Sequence, residues 1–193
     1  MKKSIILTVL MAFFTINTQV YSQFGIELQG GLSSPQDSDA KSMFKESLTG
    51  GLGLTYRVMN SLDIMTVIHY HSFNNTQENR FGIYTSKVTT TVEYMPIMIG
   101  ARYTFSEGGI QPFISGTVGS ANGTATIVAT SNIAPESRAE TKETFTAISL
   151  AGGAIFKINN QLSLLGIAEY TMLEKDGDKP EMLALKVGLR VNM

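Results

Sequence analysis

The chain contains no cysteine. Disulfides, thiol catalysis, cysteine-ligated metals and a lipid-modified N-terminal cysteine are thereby excluded. Tryptophan is also absent, so any aromatic belt has to be built from phenylalanine and tyrosine. Neither sign of charge is in excess: 15 basic residues stand against 16 acidic ones. That leaves no surplus to neutralise phosphates, and nucleic acid is not expected as a partner. No apolar run approaches the roughly 20 residues that a transmembrane helix needs, and no strong helical period is present to cover one face of a sheet.

What is present starts with Met1-Lys2-Lys3, the apolar stretch Ile5 to Phe14 and the polar run Asn17-Thr18-Gln19. This three-part build predicts a secretory signal over 1–22, with Val20 and Ser22 at the −3 and −1 positions of a cut before Gln23. The remainder, 23–193, carries 13 basic and 16 acidic residues, a net charge of −3, and its length suits one domain.

After Gln23 the sequence divides into eight segments of alternating character, approximately 23–33, 48–58, 62–73, 88–105, 110–121, 144–158, 162–173 and 182–193. Tight connections at 59–61, 106–109 and 159–161 alternate with long polar ones at 34–47, 74–87, 122–143 and 174–181. Membrane barrels sort their loops this way, with short periplasmic turns and longer external loops. The alternation also separates two faces. In the last segment Leu183, Leu185, Val187, Leu189 and Val191 share one side, and Ala184, Lys186, Gly188, Arg190 and Asn192 the other. Phe24, Ile26, Leu28 and Leu32 oppose Glu27 and Gln29 in the same manner. Charges placed mid-strand among glycines predict an apolar exterior around a polar lumen. Met65, Val67, Leu165 and Ile167 depart from this, because parity puts them on the inner face. Phe24, Tyr56, Tyr103, Phe105 and Phe156 near the turn ends, with Tyr70 and Tyr170 near the loop ends, would make two interfacial girdles. The expected fold is all-β: a closed eight-stranded antiparallel transmembrane up-and-down β-barrel.

Tyr94-Met95-Pro96-Ile97 running into Gly100-Ala101-Arg102-Tyr103, followed by a glycine turn and Gln111-Pro112-Phe113-Ile114-Ser115-Gly116 with Gly119, resembles the small outer-membrane barrel family of the OmpA and OmpX kind. More narrowly it resembles the porin-like barrel domain abundant in Bacteroidetes-type bacteria. The resemblance covers 23–193 and implies an integral outer-membrane protein surrounded by membrane lipid and lipopolysaccharide and assembled by the barrel-insertion machinery. Met193 stands where members commonly end on an aromatic residue.

Eight residues form the expected inner charge set: Glu27, Arg57, Asp63, Arg102, Lys157, Glu169, Lys186 and Arg190. Buried ions need partners, and an eight-stranded lumen is just wide enough for side chains to fill. A salt-bridged plug is therefore expected over a gated or selective path. Turn length pairs Arg57 with Asp63 and Val58 with Leu62; a loop at 174–181 pairs Leu173 with Met182 and sets Glu169 across from Lys186.

His69 and His71 share a strand face near the expected outer rim and are the low-ranked functional candidates. Ser72 beside them invites a hydrolase reading, as in lipid-modifying barrels, but adjacent strand residues point to opposite faces. The same two histidines with an inner carboxylate would suit a metal, although no metal or cofactor is expected. The glycine pairs at 30–31, 50–51 and 152–153 lack the strand-to-helix context of a phosphate loop and fit strand bending and close packing. The 122–143 loop offers a surface for an extracellular partner. The leading expectation is a non-enzymatic barrel serving envelope integrity, surface interaction or limited permeation. Its rivals are a lipid-modifying barrel enzyme and a soluble lipocalin-like binding module with inside and outside reversed.

Overall fold

The structure, a computed structural model, describes residues 23–193 apart from 45, 46, 83 and 134; the expected signal segment 1–22 lies outside the described residues. Eight strands close into one antiparallel barrel in sequence order: β1 (Phe24–Pro35), β2 (Ser47–Met59), β3 (Leu62–Phe81), β4 (Tyr84–Thr104), β5 (Ile110–Ser131), β6 (Ser137–Lys157), β7 (Leu162–Glu174) and β8 (Glu181–Asn192). Ladders between β1 and β8 complete the ring, so the barrel proper has no open edge. A short helix, α1 (Ser38–Met43), interrupts the β1–β2 connection.

The two-residue period decides which way each side chain points. Glu27, Gln29 and Ser33 of β1 are buried, whereas Phe24, Ile26, Leu28 and Leu32 face out. On β8, Val187 is 72% exposed beside a buried Lys186. The exterior is apolar and the interior carries the charge, which is the reverse of a lipocalin-like module. Met65, Val67, Leu165 and Ile167 are indeed buried in the lumen, where they join two apolar clusters. One gathers Met65, Val67, Phe73, Met98, Phe145, Leu173 and Met182 towards the long-connection end, with Phe44 and Tyr94 packed on it. The other groups Phe113, Ile155, Leu165 and Ile167. All seven aromatics assigned to the girdles are outward and exposed, and Phe24 packs on Tyr56 with ring centroids 4.9 Å apart. Of the paired glycines, Gly31 and Gly153 fit the close-packing reading, since a Cβ on either would fall 2.0 Å from a neighbouring strand's carbonyl oxygen.

Three expectations need correction. The segments 74–87 and 122–143 are not loops: most of both is strand, and the connections shrink to 82–83 and 132–136. The polarity of these segments marks solvent exposure rather than irregular backbone, because runs such as Thr89-Thr90-Thr91-Val92 and Thr126-Ile127-Val128 are rich in β-branched residues that favour extended chain. Secondly, Leu62 pairs with Met59 instead of Val58, through a register irregularity between Arg57 and Met59. The extra residue is a bulge beside a tight turn, a feature turn length alone does not reveal. Thirdly, Met182 pairs with Thr171 and Lys186 with Ile167, so β8 is shifted by two residues while every side chain keeps its face.

Strands β3 to β6, at 20–22 residues, are about twice the 9–11 residues that cross a bilayer. Their outer halves remain paired to one another, down to Phe81↔Tyr84, Ser86↔Ser131 and Ala129↔Ser137. A four-stranded sheet therefore rises beyond the barrel rim. At the barrel waist, Val187→Arg should cost about 2–4 kcal/mol and Val191→Arg, near the turn end, about 0–1 kcal/mol. Urea unfolding of the protein in lipid vesicles measures both, and equal costs would mean that this face does not meet the hydrocarbon.

Candidate functional site

Strand parity projects charged side chains from β1, β2, β3, β4, β7 and β8 into one narrow interior, and the register decides which of them meet. Glu27 on β1 is the centre. Arg102 on β4 grips it through both guanidinium nitrogens, Nη1 on Oε1 and Nη2 on Oε2, the latter at 3.0 Å. Gln29 Nε2 donates to Oε2 at 3.0 Å, and Arg190 Nη1 lies 3.7 Å from Oε1. Arg190 Nη1 also donates to Asp63 Oδ2 at 2.7 Å, while Arg57 Nε donates to Asp63 Oδ1 at 3.1 Å. The result is a continuous chain, Arg102–Glu27–Arg190–Asp63–Arg57, across the lumen. Arg102 additionally lies over the Phe113 ring at 4.5 Å, a cation–π contact suited to a dry site.

A second group sits farther along the lumen. Lys186 Nζ donates to Glu169 Oε1 at 2.8 Å and stands 3.2 Å from His69 Nε2; His69 Nδ1 is 3.2 Å from the same carboxylate oxygen. Thr171 contacts Glu169 and Ser149. The Glu169–Lys186 pair thus forms diagonally in spite of the shifted register, because a long lysine spans two positions on one face. Close packing relies on missing side chains: a Cβ at Gly51 would fall 2.2 Å from the His69 ring, and one at Gly25 would fall 2.9 Å from Arg190 Nε.

Seven of the eight expected charges meet in these two groups. Lys157 does not. It is exposed at the turn end of the barrel, where Nζ donates to the Glu107 backbone oxygen at 3.3 Å; its parity is inward, but its strand has already reached the mouth. The histidines are corrected too. His69 and His71 are 1% and 0% exposed, not partly solvated at the rim, because β3 and its neighbours continue well beyond them.

Catalysis has no assembled constellation here. His71 Nδ1 lies 3.1 Å from Ser33 Oγ, yet its Nε2 has no hydrogen-bond partner, so no third group orients it as a base. The carboxylate, Glu169, serves the other histidine. Ser72 points away from the lumen, as its parity requires. Among the described residues no group of three or more histidine or carboxylate side chains is placed to hold a metal ion. Sequence reasoning did not single out Gln29, Ser33 or Phe113 as partners. Their inward parity was available in the sequence; the cross-barrel neighbour each serves was not.

Because Asp63 is shared, its loss strands Arg190 as well as Arg57. Asp63→Leu should therefore cost about 3–5 kcal/mol and Arg57→Met, at the wetter mouth, less. A double mutant should stay close to Asp63→Leu in a refolding cycle. Full recovery in the double mutant would show that Arg57 alone matters to Asp63.

Solved structures that share this architecture include two of comparable length. Neisserial surface protein A is 14% identical, with a TM-score of 0.55 over 88% of this chain and 97% of that one. Ail, the attachment invasion locus protein of Yersinia pestis, in complex with the heparin analogue sucrose octasulfate, is 12% identical, with a TM-score of 0.56 over 89% of this chain and 98% of that one. At such identities the likeness concerns the fold. Among curated proteins no relative matches the sequence. The family described as outer membrane protein beta-barrel domain matches residues 5–191, nearly the whole length, and with a closed, apolar-walled, eight-stranded barrel behind it, the chain belongs to that family.

Proposed function

We propose that the protein is a non-enzymatic outer-membrane barrel with a closed lumen, whose cell-surface role resides in the tall β3–β6 sheet. The observation that carries this reading is the paired interior. Glu27, Asp63, Arg102, Lys186 and Arg190 are all at most 3% exposed and fill the width of a barrel of eight strands. A water-filled path through the same space would leave such ions hydrated rather than locked to one another at 2.7–3.1 Å. The apolar cluster above them, topped by Phe44 and Tyr94, adds a second obstruction.

In the proposed topology the short turns face the periplasm and the sheet stands outside. Its lateral edges, 74–81 of β3 and 137–145 of β6, lie beyond the ladders to β2 and β7, which end at His71 and Thr146. Free edges invite strand addition by another chain, and here they carry Glu78, Arg80, Arg138, Glu140 and Lys142, charges that discourage indiscriminate pairing. Hydrogen bonding from Lys142 and then Arg138 holds the Glu140 carboxyl below its usual range. Across 74–93 and 120–146 four basic residues face five acidic ones. This near-neutral, threonine-rich surface suits a protein or neutral glycan partner better than a polyanion such as the sulfated sugar held by Ail. Envelope integrity is the companion role of the plugged barrel.

Purified protein in planar bilayers should give no steady openings in the nanosiemens range, and an epitope placed within 132–136 should be labelled on intact cells. Steady conductance would overturn the closed lumen. Labelling only after permeabilisation would invert the topology.

A further inference from the structure

The charge chain in the lumen does not balance at its turn end. Arg57, Arg102, Arg190 and Lys157 supply four positive charges there, and Glu27 and Asp63 supply two negative ones. The surplus is gathered around a cup of about 320 Å³ opening at the mouth beside the short turns. Arg57, Lys157 and Arg190 line it, and no carboxylate does. Glu107 offers Lys157 only its backbone oxygen, and neither Glu107 nor Met193 reaches the lining. The rest of the polar wall consists of the amides of Gln111, Asn160 and Asn192 and the hydroxyl of Ser163.

Two of these wall residues are informative because they are buried without being used. Gln111 is 4% exposed and Ser163 1%, and among the described residues neither makes a side-chain hydrogen bond. Their polar atoms face the open cup, where water satisfies them until an acceptor displaces it. Arg57 commits only Nε to Asp63, which leaves both terminal guanidinium nitrogens for a planar or tetrahedral oxyanion. Lys157 adds an exposed ammonium at the entrance. Cations, neutral donors and a partly desolvated floor around one cavity form an anion receptor.

We infer that the turn-end mouth of the barrel is a binding site for a phosphate-class oxyanion, held by Arg57 and Lys157 with Gln111 and Ser163 as neutral donors. The girdle formed by Phe24, Tyr56, Tyr103, Phe105 and Phe156 puts the cup at the depth of lipid headgroups. The phosphate can thus be a dissolved anion or the phosphodiester of a lipid reaching over the rim. Which compartment supplies it follows from the topology proposed above; the binding itself does not depend on that topology or on whether the lumen conducts.

The test uses refolded protein 23–193 in maltoside micelles, which contain no phosphate, with amide resonances followed by NMR at constant ionic strength. Inorganic phosphate and short-chain phosphatidylglycerol are titrated separately. One or both should shift Gln111, Lys157, Ser163 and Asn192 saturably while leaving Phe44 and Glu143 at the opposite mouth unchanged. Lys157→Gln removes an exposed charge without touching the buried chain, and it should weaken binding about tenfold, the scale of one charged hydrogen bond. Gln111→Leu should weaken it too. Tighter saturation by the lipid assigns the site to the leaflet, and tighter saturation by inorganic phosphate assigns it to a dissolved anion; either supports the site. No saturable shift with either titrant, or unchanged affinity in both variants, would overturn it.

Discussion

The rest of the structure depends on one electrostatic constraint: carboxylates held inside a narrow, water-poor barrel must be met by cations. Glu27 and Asp63 are the two anions of the main chain of charges, and Arg102 and Arg190 reach them from β4 and β8. Those strands are distant in sequence, so the ion pairs can form only once the sheet has closed. An uncompensated buried ion costs several kcal/mol, and a barrel closed with another stagger would separate these partners. The pairs thus help to specify the register as well as fill the space. Their net stabilising effect relative to an apolar core is modest by the same principle; what they supply is discrimination between correct and slipped closure.

The interior is graded along its axis. The turn end is ionic and short of anions, the middle pairs Glu169 with Lys186 beside His69, and the far end is apolar and aromatic beneath Phe44 and Tyr94. In the proposed closed barrel each zone acts by different physics. Ion pairs with fixed geometry resist hydration at one end, and close-packed methionine and phenylalanine side chains exclude water at the other. The surplus of positive charge at the turn end leaves that mouth with bonding capacity to offer.

Outside the barrel the constraint changes. Beyond the rim β3 to β6 continue as a threonine-rich sheet, in which Thr76 meets Thr89 at 3.2 Å and Thr91 donates to Asn74 at 2.7 Å. Such a sheet is held by backbone ladders and β-branched side chains rather than by a buried face. It extends the barrel wall beyond the rim.

Sequence by itself determined the features that repeat every two residues. The number of strands, the lipid-facing apolar side, the inward parity of Glu27, Asp63, Arg102 and Lys186, and the Arg57–Asp63 pairing across a tight turn are local, so they are legible in the order of residues. Tertiary structure alone decided what depends on contacts between distant strands. Asp63 acquired Arg190 as a second partner because β8 closes against β1, Glu169 found Lys186 diagonally because β8 is offset by two residues, and His69 and His71 became buried because their neighbours run past them. The height of β3 to β6 was hidden for a related reason. A threonine-rich stretch is equally compatible with loop and strand until a second such stretch lies beside it to accept its hydrogen bonds.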